Sequence, residues 1–326
     1  MTRTPLSVII PAKNESKNIV PVLNALKDWV DEIFVVDSQS TDGMPDVIAQ
    51  IANGSYPQPS SPHTLKPSNS QTLKPSNSQT LKPSNSQTLK PSNIHCVQFH
   101  FNGSYPKKKN WALDNLPIRN EWVLIVDADE VIPPALAEEI AAKIANPDAD
   151  GYYLHFLYMF LGRPIHHCGY ASLRVLRLFR HKLGRYEKMP TNGSKNVGDC
   201  EAHEHIILNG KVGGCLKTSV EHYAYPTIHS WTEKHNRYSS WEAELYDKFM
   251  SGELDEGVMS MPLSRRIKRK LKRIHAHLPC RAFVRFCYHY ILRAGFLDGK
   301  PGFIFCVLLS FYDFLCNAKV WEKKHA

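Results

Sequence analysis

The chain has 326 residues, 43% apolar and 22% charged, an ordinary globular composition with ample core material and no need of a disulfide framework. Its eight cysteines form no C-x-x-C pair, so buried free thiols in a reducing compartment are expected. The net charge of +9 is concentrated: residues 265–285 hold nine Lys or Arg and no acid, which argues against a nucleic-acid binder with a diffuse basic surface and for a local anionic partner such as a membrane.

From the N-terminus, Met1 to Pro5 lead directly into a strand-like run with no basic segment followed by an apolar one. No secretory signal is expected, and the active site is expected to face the cytoplasm. Leu6 to Pro11 (LSVIIP) is short, apolar and rich in β-branched residues, as a strand buried on both faces should be. Ile19, Val22, Leu23, Leu26, Trp29 and Val30 recur at helical spacing, predicting a helix over 18–30. Glu32 to Asp37 reads as a second buried strand and Pro45 to Ala52 as a second helix. Trp122 to Asp127 reads as a further strand, and Pro134 to Ala145 as a further helix. Strands alternating with helices predict a mostly parallel sheet covered on both faces.

An insertion breaks this alternation. The octapeptide TLKPSNSQ begins at Thr64, Thr72 and Thr80, with a truncated copy from Thr88 to Asn93. One Leu per unit is too little to build a core, so residues 54–93 are expected to be a disordered insertion lengthened by duplication. Farther on, strand-like stretches are expected at Tyr152–Tyr158 and Ser172–Phe179. From about residue 230 the chain should be helical, first basic and then apolar.

The strongest chemical signal is Val126-Asp127-Ala128-Asp129-Glu130. Two carboxylates one residue apart, just past an apolar strand, can turn toward one hard cation such as Mg²⁺ or Mn²⁺. An isolated D-x-D is as often a solvated loop ahead of a helix; here the apolar strand before it and Pro133-Pro134 after it favour the metal. Pro11 to Glu15 (PAKNE) and Val35 to Gly43 (VVDSQSTDG) follow the first two strands. Ordinary turn chemistry accounts for Asp42-Gly43, but less well for Asp37, which ends a wholly apolar run. Arg174, Arg177 and Arg180 recur every third residue and are either phosphate ligands or solvated charges.

In order, SVIIPAKNE, EIFVVDSQSTDG, KKKNWALDN and EWVLIVDADE resemble the family 2 glycosyltransferases of GT-A fold, over about residues 6–225. His203-Glu204-His205, Glu221-His222-Tyr223 and the tail GFLDGKPG (Gly295–Gly302) resemble the subgroup that transfers glucose to a heptose of the lipopolysaccharide core. The octapeptide insertion and the polar stretch Lys188–Glu201 depart from that pattern. The resemblance implies a Rossmann-like, GT-A type α/β catalytic domain over 1–230, with a mostly parallel sheet and flanking helices. A helical, membrane-associated segment would follow over 231–326. It also implies an inverting, metal-dependent transfer from a UDP-sugar, expected to be UDP-glucose, to a saccharide or glycolipid acceptor.

In the implied site Pro11, Ala12, Glu15 and Asp37 contact the uridine, Lys109 the base or phosphates, and Asp127 the ribose and metal. Asp129 ligates Mg²⁺ or Mn²⁺, and His222 completes the metal shell or meets the diphosphate. Glu204 is the candidate base, with His203 or His205 as alternatives. A polyprenyl-phosphate glycosyltransferase shares the same nucleotide loops and is the competing reading; a nucleic-acid-binding protein is a remoter one.

At the C-terminus, Ile267, Leu271, Ile274 and Leu278 line one face of an expected basic amphipathic helix. Phe303 to Leu315 is apolar but interrupted by Ser310 and Asp313, and it is shorter than the roughly 20 residues a span requires. A helix lying in the inner leaflet is expected, or one packed on the catalytic domain, or both.

Overall fold

A computed structural model describes residues 3–57, 92–103, 105–170, 173–187, 205–251, 270, 274, 278 and 280–325. Glu204, His203 and most of the basic block lie outside the described residues.

The first half is built from β1 (Thr4–Ala12), α1 (Ile19–Leu26), β2 (Val30–Asp37), α2 (Met44–Ala52), β3 (Ile94–Gln98), α3 (Lys108–Asn115) and β4 (Trp122–Ile125). A two-residue strand β5 (Glu130–Val131) and helix α4 (Pro134–Ala145) follow. Next come β6 (Gly151–Phe160), β7 (Arg163–Ile165), β8 (Arg174–Arg180), β9 (Gly184–Tyr186), β10 (Ile206–Leu208) and β11 (Val212–Tyr225). The main sheet runs β3-β2-β1-β4-β8-β6-β11-β5, with β7 paired beside β6, while β9 and β10 form a separate antiparallel pair. β1, β2, β3 and β4 are mutually parallel, and β8 runs against both β4 and β6. β6 and β11 are again parallel, so the expected mostly parallel α/β sheet is present.

Alternation along β1 feeds two cores. Leu6, Val8 and Ile10 pack with α1, α2 and α4, while Ile9 packs with Phe34, Val123, Ile125 and α3 on the other face. The predicted helix over 18–30 is shorter, ending at Leu26, because Trp29 and Val30 turn back to start β2. Of the expected insertion over 54–93, residues 58–91 lie outside the described residues. Asn93 is buried, and its side-chain amide donates to the carbonyls of Lys27 and Val30 (3.1 and 2.7 Å), anchoring the return into β3.

The C-terminal layer comprises α5 (Ile228–Ser251), α6 (Arg281–Cys287), a π-helical turn (Tyr288–Leu292), a 3₁₀ turn (Gly295–Asp298) and α7 (Gly299–His325). It packs on the catalytic domain through Phe160, Ile165, Cys168, Trp231, Phe305, Cys306 and Leu309. GFLDGKPG is the hinge of this contact. A Cβ on Gly302 would stand 2.3 Å from the Gly295 carbonyl, so the chain can close only with glycine there. The Asp298 carboxylate accepts the backbone N–H groups of His166 and His167 (3.1 and 2.9 Å), pinning the layer to the loop after β7.

α7 has 27 residues, well beyond the apolar run read from sequence. Ser310 and Asp313 do not interrupt it: Ser310 donates to the Ala282 carbonyl (2.6 Å), and Asp313 accepts from Arg285 (2.6 Å). With the turn before it, Gly295–His325 is long and apolar enough to cross a membrane, at mean hydropathy 1.6 over its most apolar window. Length therefore does not separate spanning from packing.

His235, on α5, stacks on Trp231 with centroids 3.7 Å apart, and its Nδ1 meets the Trp231 carbonyl at 2.8 Å. Tyr225, Tyr238 and Tyr312 pack around the ring. Burial, opposed by the Trp231 bond and reinforced by Lys234 and Arg285, pushes its pKa down to about 4. A depressed imidazole contributes stability that is complete above the unfolded value near 6.5 and lost as pH falls toward 4. Between pH 7.5 and 5 the protein should lose about 2 kcal/mol through this group. Urea titrations of His235→Phe should show a pH dependence flatter by that amount; parallel profiles would mean that His235 charges freely in the fold.

Candidate functional site

β1, β2, β4, β6 and β11 run in one direction, so their C-terminal ends meet at one edge of the sheet, where ligands of open α/β sheets bind. Ala12 and Asp37 end β1 and β2, Asp127 lies just past β4, and Tyr158 and His222 lie within the last few residues of β6 and β11.

The first two loops are tied together. Asn14 and Gln39 both hold left-handed backbone (φ 56° and 57°). The Asn14 amide N–H donates to Ser40 Oγ (2.7 Å), the Asn14 side-chain carbonyl accepts from Thr41 N–H (2.8 Å), and Ser16 N–H donates to Asp42 (2.8 Å). Asp37 is fully buried; its carboxylate accepts from Ser40 Oγ (2.5 Å) and Gln98 (2.8 Å) and so shapes the loop. Pro11 ends the strand beside Val36. Lys108 donates to the Ala12 carbonyl (3.1 Å). Glu15 bonds Asn18 (2.7 Å), and its pKa is raised by burial and by Asp129, against the pull of Asn18 and Lys234.

The D-x-D turn is held from both sides. Glu130 Oε2 accepts the Asp127 N–H (2.8 Å). β5 then pairs antiparallel with β11, placing His222 opposite Glu130, and Tyr223 N–H donates to the Asp129 carbonyl (2.8 Å). This pairing brings His222 Nε2 to 3.4 Å from Asp129 Oδ1. Lys234, one turn past Trp231 on α5, places Nζ 3.9 Å from Asp129 Oδ2 and over the Tyr225 ring. Burial would lower the pKa values of His222 and Lys234, but Asp129 raises both.

Asp127 is differently placed. Lys109 approaches it at 3.2 Å and Arg177 at 2.7 Å, and these two cations overcome burial to hold its carboxyl well below the usual range. Arg177 also donates to Glu130 (3.0 Å) and lies over the Phe156 ring. Burial pushes Glu130 up to about 7 despite Arg177. The three arginines of β8 do not converge. The register of β8 against β6 slips at Arg177, between Leu178 opposite Tyr152 and Leu176 opposite Tyr153, so the three arginines do not follow one alternation. Arg174 is exposed, and Arg180 pairs with Glu121 and with Asp150 (2.9 Å). Glu130 stood in the acidic motif without a role of its own, Arg177 was one of three candidate phosphate ligands, and Lys234 carried no signal in the sequence.

Among the described residues no three His, Cys, Asp or Glu side chains converge into a ready-made metal cage. The donor chemistry nevertheless fits a hard divalent cation at Asp129 and His222. They supply one carboxylate and one imidazole whose Nδ1 is buried without a partner. An ion of the Mg²⁺ type takes the rest of its shell from water and phosphate oxygens.

Residues 7–62 match the family profile described as Glycosyl transferase family 2. An uncharacterized glycosyltransferase of Rickettsia felis is 22% identical over 97% of this chain and 89% of its own length. One from Rickettsia conorii is 24% identical over 97% and 90%. Glycosyltransferase is the function class these likenesses support, and on that ground the chain is an enzyme. Among solved structures, a mannosyltransferase from Pyrobaculum calidifontis in complex with GDP-Man and Mn²⁺ superposes with TM-score 0.47 at 16% identity, covering 100% of this chain and 89% of that one. A TarS fragment from S. aureus in complex with UDP-GlcNAc gives 0.39 at 14%, covering 95% and 91%.

Proposed function

We propose that the chain is an inverting glycosyltransferase that moves a sugar, glucose by its resemblance, from a UDP-sugar to a lipid-linked or lipopolysaccharide-core saccharide. It would work as a peripheral protein on the cytoplasmic face of a membrane. The observation that carries this reading is the meeting, at one sheet edge, of the two tied loops and a D-x-D turn bracketed by Lys109, Arg177, His222 and Lys234.

In this reading Pro11, Ala12 and Glu15 form the nucleoside wall, and Asp37, buried behind it, serves the same subsite by setting the Ser40 loop. Asp127, locked by Lys109 and Arg177, is a fixed carboxylate for the ribose. Asp129 and His222 would hold Mg²⁺ or Mn²⁺, which when bound neutralises charge on the departing diphosphate. Lys109 and Lys234 add fixed positive charge on the same side. Inversion needs a base on the opposite face of the anomeric carbon to accept the acceptor hydroxyl proton as that oxygen attacks. Glu204 is assigned this role from its place in the sequence.

The test is a thermal-shift screen of UDP, GDP and their sugars with each metal, since a ligand of the folded state raises stability with its affinity. A UDP-specific shift that grows with Mg²⁺ or Mn²⁺ supports the reading; a GDP-specific one, or none with any nucleotide, overturns it. Glu204→Gln should keep the donor shift while kcat falls roughly 10²-fold or more. Lost donor binding with kcat preserved would make Glu204 a binding residue.

A further inference from the structure

α7 has two faces of opposite character. Phe305, Leu309, Asp313, Cys316 and Val320 are buried against α5, α6 and the catalytic domain. Phe303, Val307, Phe311, Phe314 and Trp321 are 46%, 41%, 43%, 57% and 64% exposed. At 100° per residue these five fall within an arc of about 80°, and the stripe runs about 27 Å along the helix. It continues onto the preceding turns, where Leu292 is 75% and Leu297 61% exposed. An apolar surface of this extent on a single chain marks a place where something binds.

We infer that this stripe seats the protein in an anionic lipid surface, with α7 lying in the membrane plane rather than crossing it. The inference deepens the membrane reading above by naming its contact face. Charge selects the occupant. Lys300 stands exposed at one end of the stripe, Lys323 and Lys324 share the single Asp247 carboxylate (3.4 and 3.8 Å) at the other, and by sequence residues 265–273 carry seven Lys or Arg with no acid. Trp321 sits at the basic end, as an aromatic ring with one polar edge does at a membrane–water boundary. Packing selects the orientation. To span, α7 would have to withdraw Phe305 and Leu309 from the Phe160–Trp231 cluster and break the pair between Asp313 and Arg285. A carboxylate without its partner in hydrocarbon is strongly unfavourable. Seated in plane, the helix keeps every buried contact and loses only exposed apolar surface from water.

The test is co-sedimentation of the full chain with phosphatidylcholine vesicles, with and without phosphatidylserine. The paired variant Phe311→Glu/Phe314→Glu should bind phosphatidylserine vesicles roughly tenfold or more weakly, with an unchanged melting temperature and an unchanged UDP-induced shift. Those readouts separate a failed seat from a failed donor site. Lipids brominated in the chain should quench the tryptophan emission of the unaltered protein and quench that of Trp321→Phe less. Alkaline carbonate should strip the protein from membranes. Resistance to carbonate overturns the in-plane seat. Undiminished vesicle binding by the paired variant overturns the lipid assignment. So does a fall in oligomer size by gel filtration with lipid binding unchanged, which would give the stripe to a second copy of the chain.

Discussion

Replacing Arg177 with Met is expected to lower the stability of the catalytic domain by about 3–5 kcal/mol, the scale of removing one partner from a buried ion pair. The guanidinium is 9% exposed and donates to Asp127 (2.7 Å) and Glu130 (3.0 Å). Met keeps much of the side chain's aliphatic volume but not the guanidinium that lies over Phe156, so the loss measured is mainly electrostatic. Two responses limit it. Lys109 remains on Asp127, and Glu130, already pushed up to about 7, can take up a proton. Arg177→Lys should recover only part of the loss, because one ammonium cannot reproduce the fork that serves two carboxylates. Urea denaturation of the three proteins decides it. If Arg177→Met lies within about 1 kcal/mol of the unaltered chain, Asp127 and Glu130 do not depend on it.

The contrast between Arg177 and its surroundings shows what could be read in advance. β1, β2, β4 and α4 were legible because runs such as SVIIP and WVLIV are buried on both faces, and the chain writes that burial directly in β-branched residues. The strand-end loops were legible because polar residues begin abruptly after them. Arg177 was legible only as one of three candidate phosphate ligands, because a register slip in β8, which no pattern in the chain announces, sets it against Asp127 and Glu130. β5 has two residues and no pattern of its own; its pairing with β11 is a long-range event, yet it alone brings His222 to Asp129. Lys234 is an ordinary surface lysine by sequence, and α5 carries it to the sheet edge. The length of α7 was hidden because Ser310 and Asp313 look like interruptions until α6 supplies their partners.

Asp129→Asn is expected to reduce turnover by roughly 10³-fold or more while the protein stays folded, on the scale of losing the charge stabilisation of a departing group. Asn preserves shape and one acceptor, so the turn held by Glu130 and by Tyr223 N–H should persist. What disappears is the negative charge that faces His222 at 3.4 Å and Lys234 at 3.9 Å. Without it the imidazole loses the main influence that raises its pKa, and the ammonium turns toward Glu15, its other carboxylate neighbour. The site then has no carboxylate free for a divalent ion, because Asp127 is committed to Lys109 and Arg177. Two readouts follow. The donor-induced thermal shift of Asp129→Asn should no longer grow when Mg²⁺ or Mn²⁺ is added, and saturating donor should not restore kcat. Asp127→Asn should instead act chiefly on stability, by removing the carboxylate charge that Lys109 and Arg177 share, while Arg177 keeps Glu130. If Asp129→Asn turned over near the normal rate and Asp127→Asn abolished the metal response, the ion would belong to Asp127, and Lys109 and Arg177 would have to move aside to admit it.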